Sequence, residues 1–410
     1  MASNTRPSVR KCSLLAAAAI AAAIARPSAA QEPTPDTRTA LIAQRQAEKA
    51  PTLHPYEPSR VEATVDRLED MFVNGTVHWH PFFENAYAGG GFTLGAGYMA
   101  HLSAYNTLDL RGSITISGYK RIEAAFTAPR IFERRGVLSV VGGWREATAV
   151  GFYGFGTAGT SSHDRVNYGF KQPYASAMVD VYPTRQLLLI GGGLELSQWD
   201  QESGSGTAPS IETRYTPSTL VGLGAKPTYL HSQARVGLDW RTSPGYSRRG
   251  GFYSITFHDF HDRDHRYGFD QIDYDAIQHL PLLRETWVLA LHGRVESSMD
   301  KNGEDIPFFM LPALGGGSTL RGFASWRFRD RHSLLMQAEW RVMTNRFMDM
   351  ALFYDTGKVA SRSSNLDFDG LKSDYGIGFR LHGPMVTPVR IELAKSNEGF
   401  AIVFSSKAPF

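Results

Sequence analysis

Cysteine occurs once in 410 residues, as Cys12. It precedes the first apolar stretch, so a leader cut after Ala30 carries it away and leaves no disulfide, thiolate ligand or thiol nucleophile. Long hydrophobic runs are missing too. After residue 30 nothing approaches the roughly 18 to 20 continuous apolar residues of a spanning helix. Neither sign of charge dominates: 43 Lys and Arg against 40 Asp and Glu leave a formal +3. That excess is too small and too mixed to argue for nucleic acid or an acidic partner. No Ser/His/Asp set stands out from the other polar residues, so the chain is not read as an enzyme.

What is present changes along the chain. Residues 1–30 combine Arg6, Arg10 and Lys11, an apolar stretch from Leu14 to Ile24, and the small Ser28, Ala29 and Ala30, the pattern of a secretory signal peptide. Residues 31–75 form a second zone. From Gln31 to Pro58 it is rich in Pro, Glu, Arg, Gln and Ala and reads as a periplasmic tether; then Val61, Val65, Leu68 and Phe72 recur at helical spacing, which predicts one short amphipathic helix. Its place, at the barrel mouth, in the lumen or on the membrane surface, stays open.

From residue 76 to 410 the pattern is period two. Leu108, Leu110, Ile114 and Ile116 interleave with Asp109, Arg111, Ser113, Thr115 and Ser117. Ala234, Val236, Leu238 and Trp240 oppose Gln233, Arg235, Asp239 and Arg241. Trp287, Leu289, Leu291 and Val295 oppose His292, Arg294 and Glu296, and Leu334, Met336, Ala338, Trp340 and Val342 oppose Gln337, Glu339 and Arg341. A soluble sandwich also alternates. Spacing favours an all-β transmembrane antiparallel barrel of about sixteen strands. Short connections are expected at Ser103 to Asn106, Pro183 and Thr184, Pro281 to Leu283, Thr344 to Arg346 and Gly383 to Thr387. Long polar ones are expected at Ala147 to Asp164, Asp200 to Pro227, Ser298 to Arg331 and Ser361 to Gly370. Forty glycines and 12% aromatics suit tilted strands with aromatic girdles.

One constellation is more specific than the alternation. Gly315-Gly-Gly-Ser-Thr-Leu-Arg-Gly-Phe323 precedes a strand carrying Glu339 and another carrying Phe353, Asp355 and Gly357. These residues resemble the BamA and TamA family of outer-membrane barrels, the bacterial surface antigen family. In that family a long extracellular loop folds into the lumen with a Val/Leu-Arg-Gly-Phe/Tyr tip, here Leu320, Arg321, Gly322 and Phe323. The tip arginine meets acidic wall residues, here Glu339 and Asp355. The family's closing strands are matched by Gly376, Gly378 and Arg380, then Pro388 and Arg390, and a terminal Phe410. The resemblance is specific from about residue 310 onward.

Two departures stand beside it. Assembly factors of the family carry polypeptide-transport-associated domains before the barrel, whereas residues 31–75 are shorter than such a domain and lack a strand pattern. Pro409 interrupts the last alternation. Physically, a glycine-rich loop settles in one place when an arginine fork bridges two carboxylates that otherwise repel; such a lock either only braces the barrel or also gates it.

Other motifs carry less. Gly154-Phe-Gly-Thr-Ala-Gly159 matches the dinucleotide pattern without the helix it needs and reads as a strand end. His258, Asp259, His261, Asp262, Asp264 and His265 have metal-ligand chemistry without a fixed geometry. His78 and His80 share one face of the first strand as lumen polar residues. No metal or cofactor is expected. The resemblance implies a bacterial outer-membrane protein acting in protein assembly or translocation, with membrane lipid and other outer-membrane or periplasmic proteins as partners and no nucleic acid; the alternative is a passive or gated pore that keeps the lumen lock.

Overall fold

The structure, a computed structural model, describes residues 38–49, 63, 78–184, 187–283, 285–301, 303–383 and 386–410. It divides into two compact units, Met1–Thr64 and Val65–Phe410. The leader and the helical pattern of Val65, Leu68 and Phe72 lie outside the described residues. In the first unit the segment read as a tether holds a helix, α1 (Arg38–Lys49). Its Ala, Leu, Gln, Arg and Lys are good helix formers, with no Gly or Pro to stop the backbone ladder. Gln44 donates to Glu48 one turn on at 3.2 Å.

The second unit is built from β1 (Trp79–Pro81), β2 (Thr93–His101), β3 (Thr107–Thr115), β4 (Lys120–Arg130), β5 (Gly136–Phe152), β6 (Val166–Val181), β7 (Leu188–Gln198), β8 (Asp200–Ser203), β9 (Thr228–Asp239) and β10 (Gly250–Asp262). It continues with β11 (Phe269–Leu283), β12 (Trp287–Asp300), β13 (Ala313–Leu314), β14 (Phe328–Arg329), β15 (His332–Asn345), β16 (Met348–Ala360), β17 (Lys372–Leu381), β18 (Val389–Ser396) and β19 (Gly399–Ser405). Strands β13 and β14 form their own ribbon; the other seventeen belong to one sheet. Because β7 and β8 lie along the same neighbour, β6, and are parted only at Trp199, they count as one stave. Sixteen staves result among the described residues. Each pairs antiparallel with the next along the chain, from β1–β2 to β18–β19. Among the described residues no ladder joins β19 to β1 or β2, and the sheet is not closed.

The alternation decides which face is which. Leu110, Ile114, Leu238 and Trp340 face outward with 40 to 53% exposure, while Asp109, Gln337 and Arg341 on the same strands are buried inside. Trp287 and Trp340 meet edge to face at 5.4 Å on the outer surface, near one end of the staves. An outward belt of Leu, Ile, Phe and Trp on successive staves is covered by lipid and not by water.

Boundaries differ from the sequence expectation in two ways. Pro281 to Leu283 is strand rather than turn: the β11–β12 ladder continues past a bulge to Leu283 opposite Trp287. Pro281 is tolerated because it lies next to that bulge at the strand's end, where a missing N–H costs least. Likewise β15 runs on to Asn345, so the turn there is residues 346–347. At the other end β5, β8 and β12 extend past Ala147, Asp200 and Ser298 to Phe152, Ser203 and Asp300. Around that rim inward positions become aromatic. Phe152, Tyr168, Phe170, Trp199, Phe308 and Phe309 form a hydrophobic core capping the long-loop end, which draws the loops of residues 204–227 and 301–331 over the barrel.

Candidate functional site

The loop between β12 and β15 is turned back into the barrel by the β13–β14 ribbon, which pairs Ala313 with Arg329 and Leu314 with Phe328. The chain reverses at Gly315 and Gly316, whose φ angles of +117° and +100° suit glycine alone. The Gly316 N–H donates to the carbonyls of Leu320 (3.1 Å) and Phe323 (3.2 Å), closing the tip. Leu320 and Phe323 then pack with Leu314, Phe328, Leu335 and Val359. That apolar anchor leaves Arg321 aimed at the wall.

Arg321 is fully buried and spends its guanidinium on carboxylates. Nε and Nη2 donate to the two oxygens of Asp355 at 2.6 Å each. Nη1 donates to Glu339 (2.6 Å) and Glu392 (3.1 Å). The Phe353 ring lies 3.6 Å from the guanidinium carbon, a cation–π contact. Every one of the sequence-selected lock residues is brought to this place, and glycine explains the fit. A Cβ on Gly357 would approach Leu314 to 3.0 Å and one on Gly378 would approach Glu392 to 2.9 Å. Gly376 stands opposite Phe353 in the ladder.

The network is wider than Glu339 and Asp355. Arg380 donates to Glu339 (2.6 Å) and Glu392 (3.1 Å), and Arg341 donates to Glu339 at 2.8 Å. Gln337 donates to Asp355 (3.1 Å) and to the Thr319 carbonyl (2.8 Å). Arg390 donates to the Gly317 carbonyl at 2.8 Å. Glu392, Arg341 and Gln337 were missed as lock members from sequence, although parity along β15 and β18 puts them on the face of Glu339 and Arg390. Buried charges this dense hold together only when nearly all are paired.

Phe410 is a correction. It does not close the last strand, because β19 ends at Ser405 and Pro409 has no N–H to extend a ladder. Its ring lies 5.0 Å from His292 on β12 and 5.4 Å from the guanidinium of Arg341 on β15. The segment after β19 therefore leaves the wall and reaches the lumen side of staves that are not its neighbours.

A second feature went unread. The β9–β10 connection places Tyr246 in the short-turn end, stacked on His382 at 3.9 Å with its hydroxyl donating to Asp349. Arg248 donates to that hydroxyl (3.0 Å) and Thr387 to the Gly245 carbonyl (3.1 Å). Burial first, then the adjacent Asp349 carboxylate, push the Tyr246 hydroxyl up from its ordinary value. This strap ties β9–β10 to β16 and β17.

The remaining candidates resolve into local structure. His80 bonds Asp109 at 2.8 Å on the lumen side, while His78 is exposed and bonds the Met99 carbonyl. His258 meets His231 (3.0 Å) and Asp273 (3.3 Å), and Asp262 accepts backbone N–H bonds from Arg266 and Tyr267. Among the described residues no three such groups are arranged to hold a metal. The Gly156 N–H donates to the Arg329 carbonyl just past β5, and only a 3₁₀ turn at Ser162–Asp164, not an α-helix, follows before β6.

A family model described as the Omp85 superfamily domain matches residues 106–399. No curated protein matches the chain. Among solved structures it is similar to BamA from Haemophilus ducreyi lacking POTRA domains 1-3, at 14% identity and TM-score 0.59 over 88% of this chain and 81% of that one. It is also similar to CdiB from Escherichia coli, at 11% identity and TM-score 0.50 over 81% of this chain and 60% of that one. For CdiB from Acinetobacter baumannii the values are 12% and 0.48 over 76% and 55%. Likeness at such identities speaks for the fold alone; the family model, which spans well over half of the length, establishes that the chain belongs to the Omp85 superfamily.

Proposed function

We propose that this barrel inserts or translocates polypeptide at the bacterial outer membrane. The observation that carries the reading is the unclosed sheet, with β19 on one side of the seam and β1 and β2 on the other. An unpaired strand edge is a template for another chain, and adding a strand there satisfies backbone groups on both partners. Phe400, Ile402 and Phe404 expose their rings and branches outward on β19, so a strand entering here meets lipid on one face. The locked tip, the aromatic cap and the Tyr246 strap occupy the lumen side, which supports lateral release over free passage. Membrane lipid and unfolded outer-membrane proteins are the partners this implies.

A gated pore that keeps the lock is the second reading, favoured by the ionisable lumen wall. The two are separated by placing a photo-crosslinking residue at Trp79 on β1, Ala401 on β19 or Ala234 on the continuous wall at β9, in liposomes offered a urea-unfolded barrel protein. Adducts at Trp79 and Ala401 with none at Ala234 are expected, together with faster client folding. Equal labelling at all three, or no acceleration, overturns the insertion reading.

A further inference from the structure

One carboxylate beside the lock has no counterpart. Asp374 on β17 is fully buried, and neither of its side-chain oxygens has a well-aligned hydrogen-bond partner. Across the β16–β17 ladder it stands directly opposite Asp355, the residue that Arg321 grips with two donors. The loop tip presses against it from the lumen. A Cβ on Gly322 would come within 2.6 Å of the Asp374 Cβ, and the Gly322 carbonyl is held in place by the Ser396 hydroxyl of β18 at 2.7 Å.

The groups that face Asp374 leave it stranded. From β16 comes Asp355; from β18 come Ser396 and, farther along the same face, Glu392 and Arg390; from the loop come Arg321 and Gly322; on its own strand Lys372 and Arg380 share its face. Arg321 spends its donors on Asp355, Glu339 and Glu392, and Arg380 donates to Glu339 and Glu392. Neither Asp374 oxygen makes a well-aligned hydrogen bond; the Gly322 N–H approaches it, and the Asp355 carboxylate opposite is close enough to accept its proton. A buried carboxylate without a cation of its own and facing a second carboxylate is stable there with its proton.

We propose that Asp374 is the release residue of the lock: neutral while the Leu320–Phe323 tip is seated, and once ionised an anion that competes with Asp355 for Arg321 and unseats the tip. On release the proton passes to lumen water. The locked form then holds one proton more than the released form, so the lock weakens as pH rises, by about tenfold in its equilibrium per pH unit once Asp374 ionises in the released form. Asp374 acts on the loop through Arg321 and Gly322 and is a positioning residue.

Single-channel recordings in planar bilayers test this from mildly acidic to alkaline pH, using the full chain. The parent protein is expected to open increasingly with pH at that slope. Asp374→Asn, which keeps the shape and cannot ionise, is expected to stay locked across the range. Arg321→Ala, with no lock to release, is expected to lose the pH dependence while staying open. A pH slope retained in Asp374→Asn or in Arg321→Ala, or a parent that never opens, overturns the proposal. The readout needs no client, so its failure leaves the insertion reading standing, and failure of the crosslinking experiment leaves this one standing.

Discussion

Arg321 and Asp355 meet through two parallel hydrogen bonds of 2.6 Å, with the Phe353 ring against the guanidinium. The pair joins a loop some thirty residues long to the wall at a point where both partners are shut off from water. Fork geometry gives direction as well as attraction, which a lysine at the same position would not supply.

Removing the fork is therefore costly. Arg321→Ala leaves Asp355, Glu339 and Glu392 short of a shared cation and is expected to destabilise the folded barrel by about 3–5 kcal/mol. Arg321→Lys should fall between, since it restores charge without the two-point contact. Urea titration in liposomes, read by the loss of the folded electrophoretic form, checks the order. Adding Glu339→Gln and Asp355→Asn to Arg321→Ala should recover part of the loss.

The two faces of β9 are expected to differ sharply. Val236→Arg puts a charge into lipid and should cost roughly 2–4 kcal/mol near mid-membrane, whereas Gln233→Arg on the lumen side should cost little. Folding yields into liposomes measure the difference. Equal losses would reverse the assignment of faces.

The strap at the short-turn end depends on Tyr246. Tyr246→Phe keeps the stack on His382 and removes the hydroxyl bond to Asp349, at a cost of about 1–3 kcal/mol. Tyr246→Ala removes both. Trypsin supplied from that side should cut after Arg248 and Arg249 faster in the order parent, Phe variant, Ala variant.

The cap at the other end should behave as a true core. Phe308 is fully buried among Phe152, Tyr168 and Phe309, so Phe308→Ala is expected to cost about 3–5 kcal/mol. If the loops merely hung in solvent, thermal unfolding of this variant would match the parent.

Phe410 offers a finer test of the tail. Phe410→Ala gives up its contacts with His292 and Arg341 but touches no ladder, so a loss of about 0.5–2 kcal/mol is expected, with the β18–β19 amide protons as protected from exchange as in the parent.

Period-two alternation on β3, β9, β12 and β15 was enough to assign lipid and lumen faces from the sequence, because each side chain along a strand points opposite to its neighbour. The Leu320–Phe323 tip, Glu339 and Asp355 were legible for another reason: their motifs resemble those of a known barrel family, and an arginine fork suits two inward acids. Alternation fails where both faces are dry. At the long-loop rim Val150, Gly151 and Phe152 on β5 and Val166, Asn167 and Tyr168 on β6 are all buried, so strand there looked like loop. Distance in sequence hid the rest. The sharing of Glu339 and Glu392 among Arg321, Arg380 and Arg341, the placing of Asp374 against the loop tip, the crossing of Phe410 to His292 and the strap from Tyr246 to Asp349 depend on which side chains the folded loop, tail and turns meet. No local pattern encodes such contacts; the curvature of the sheet and the inward fold of the loop brought them together.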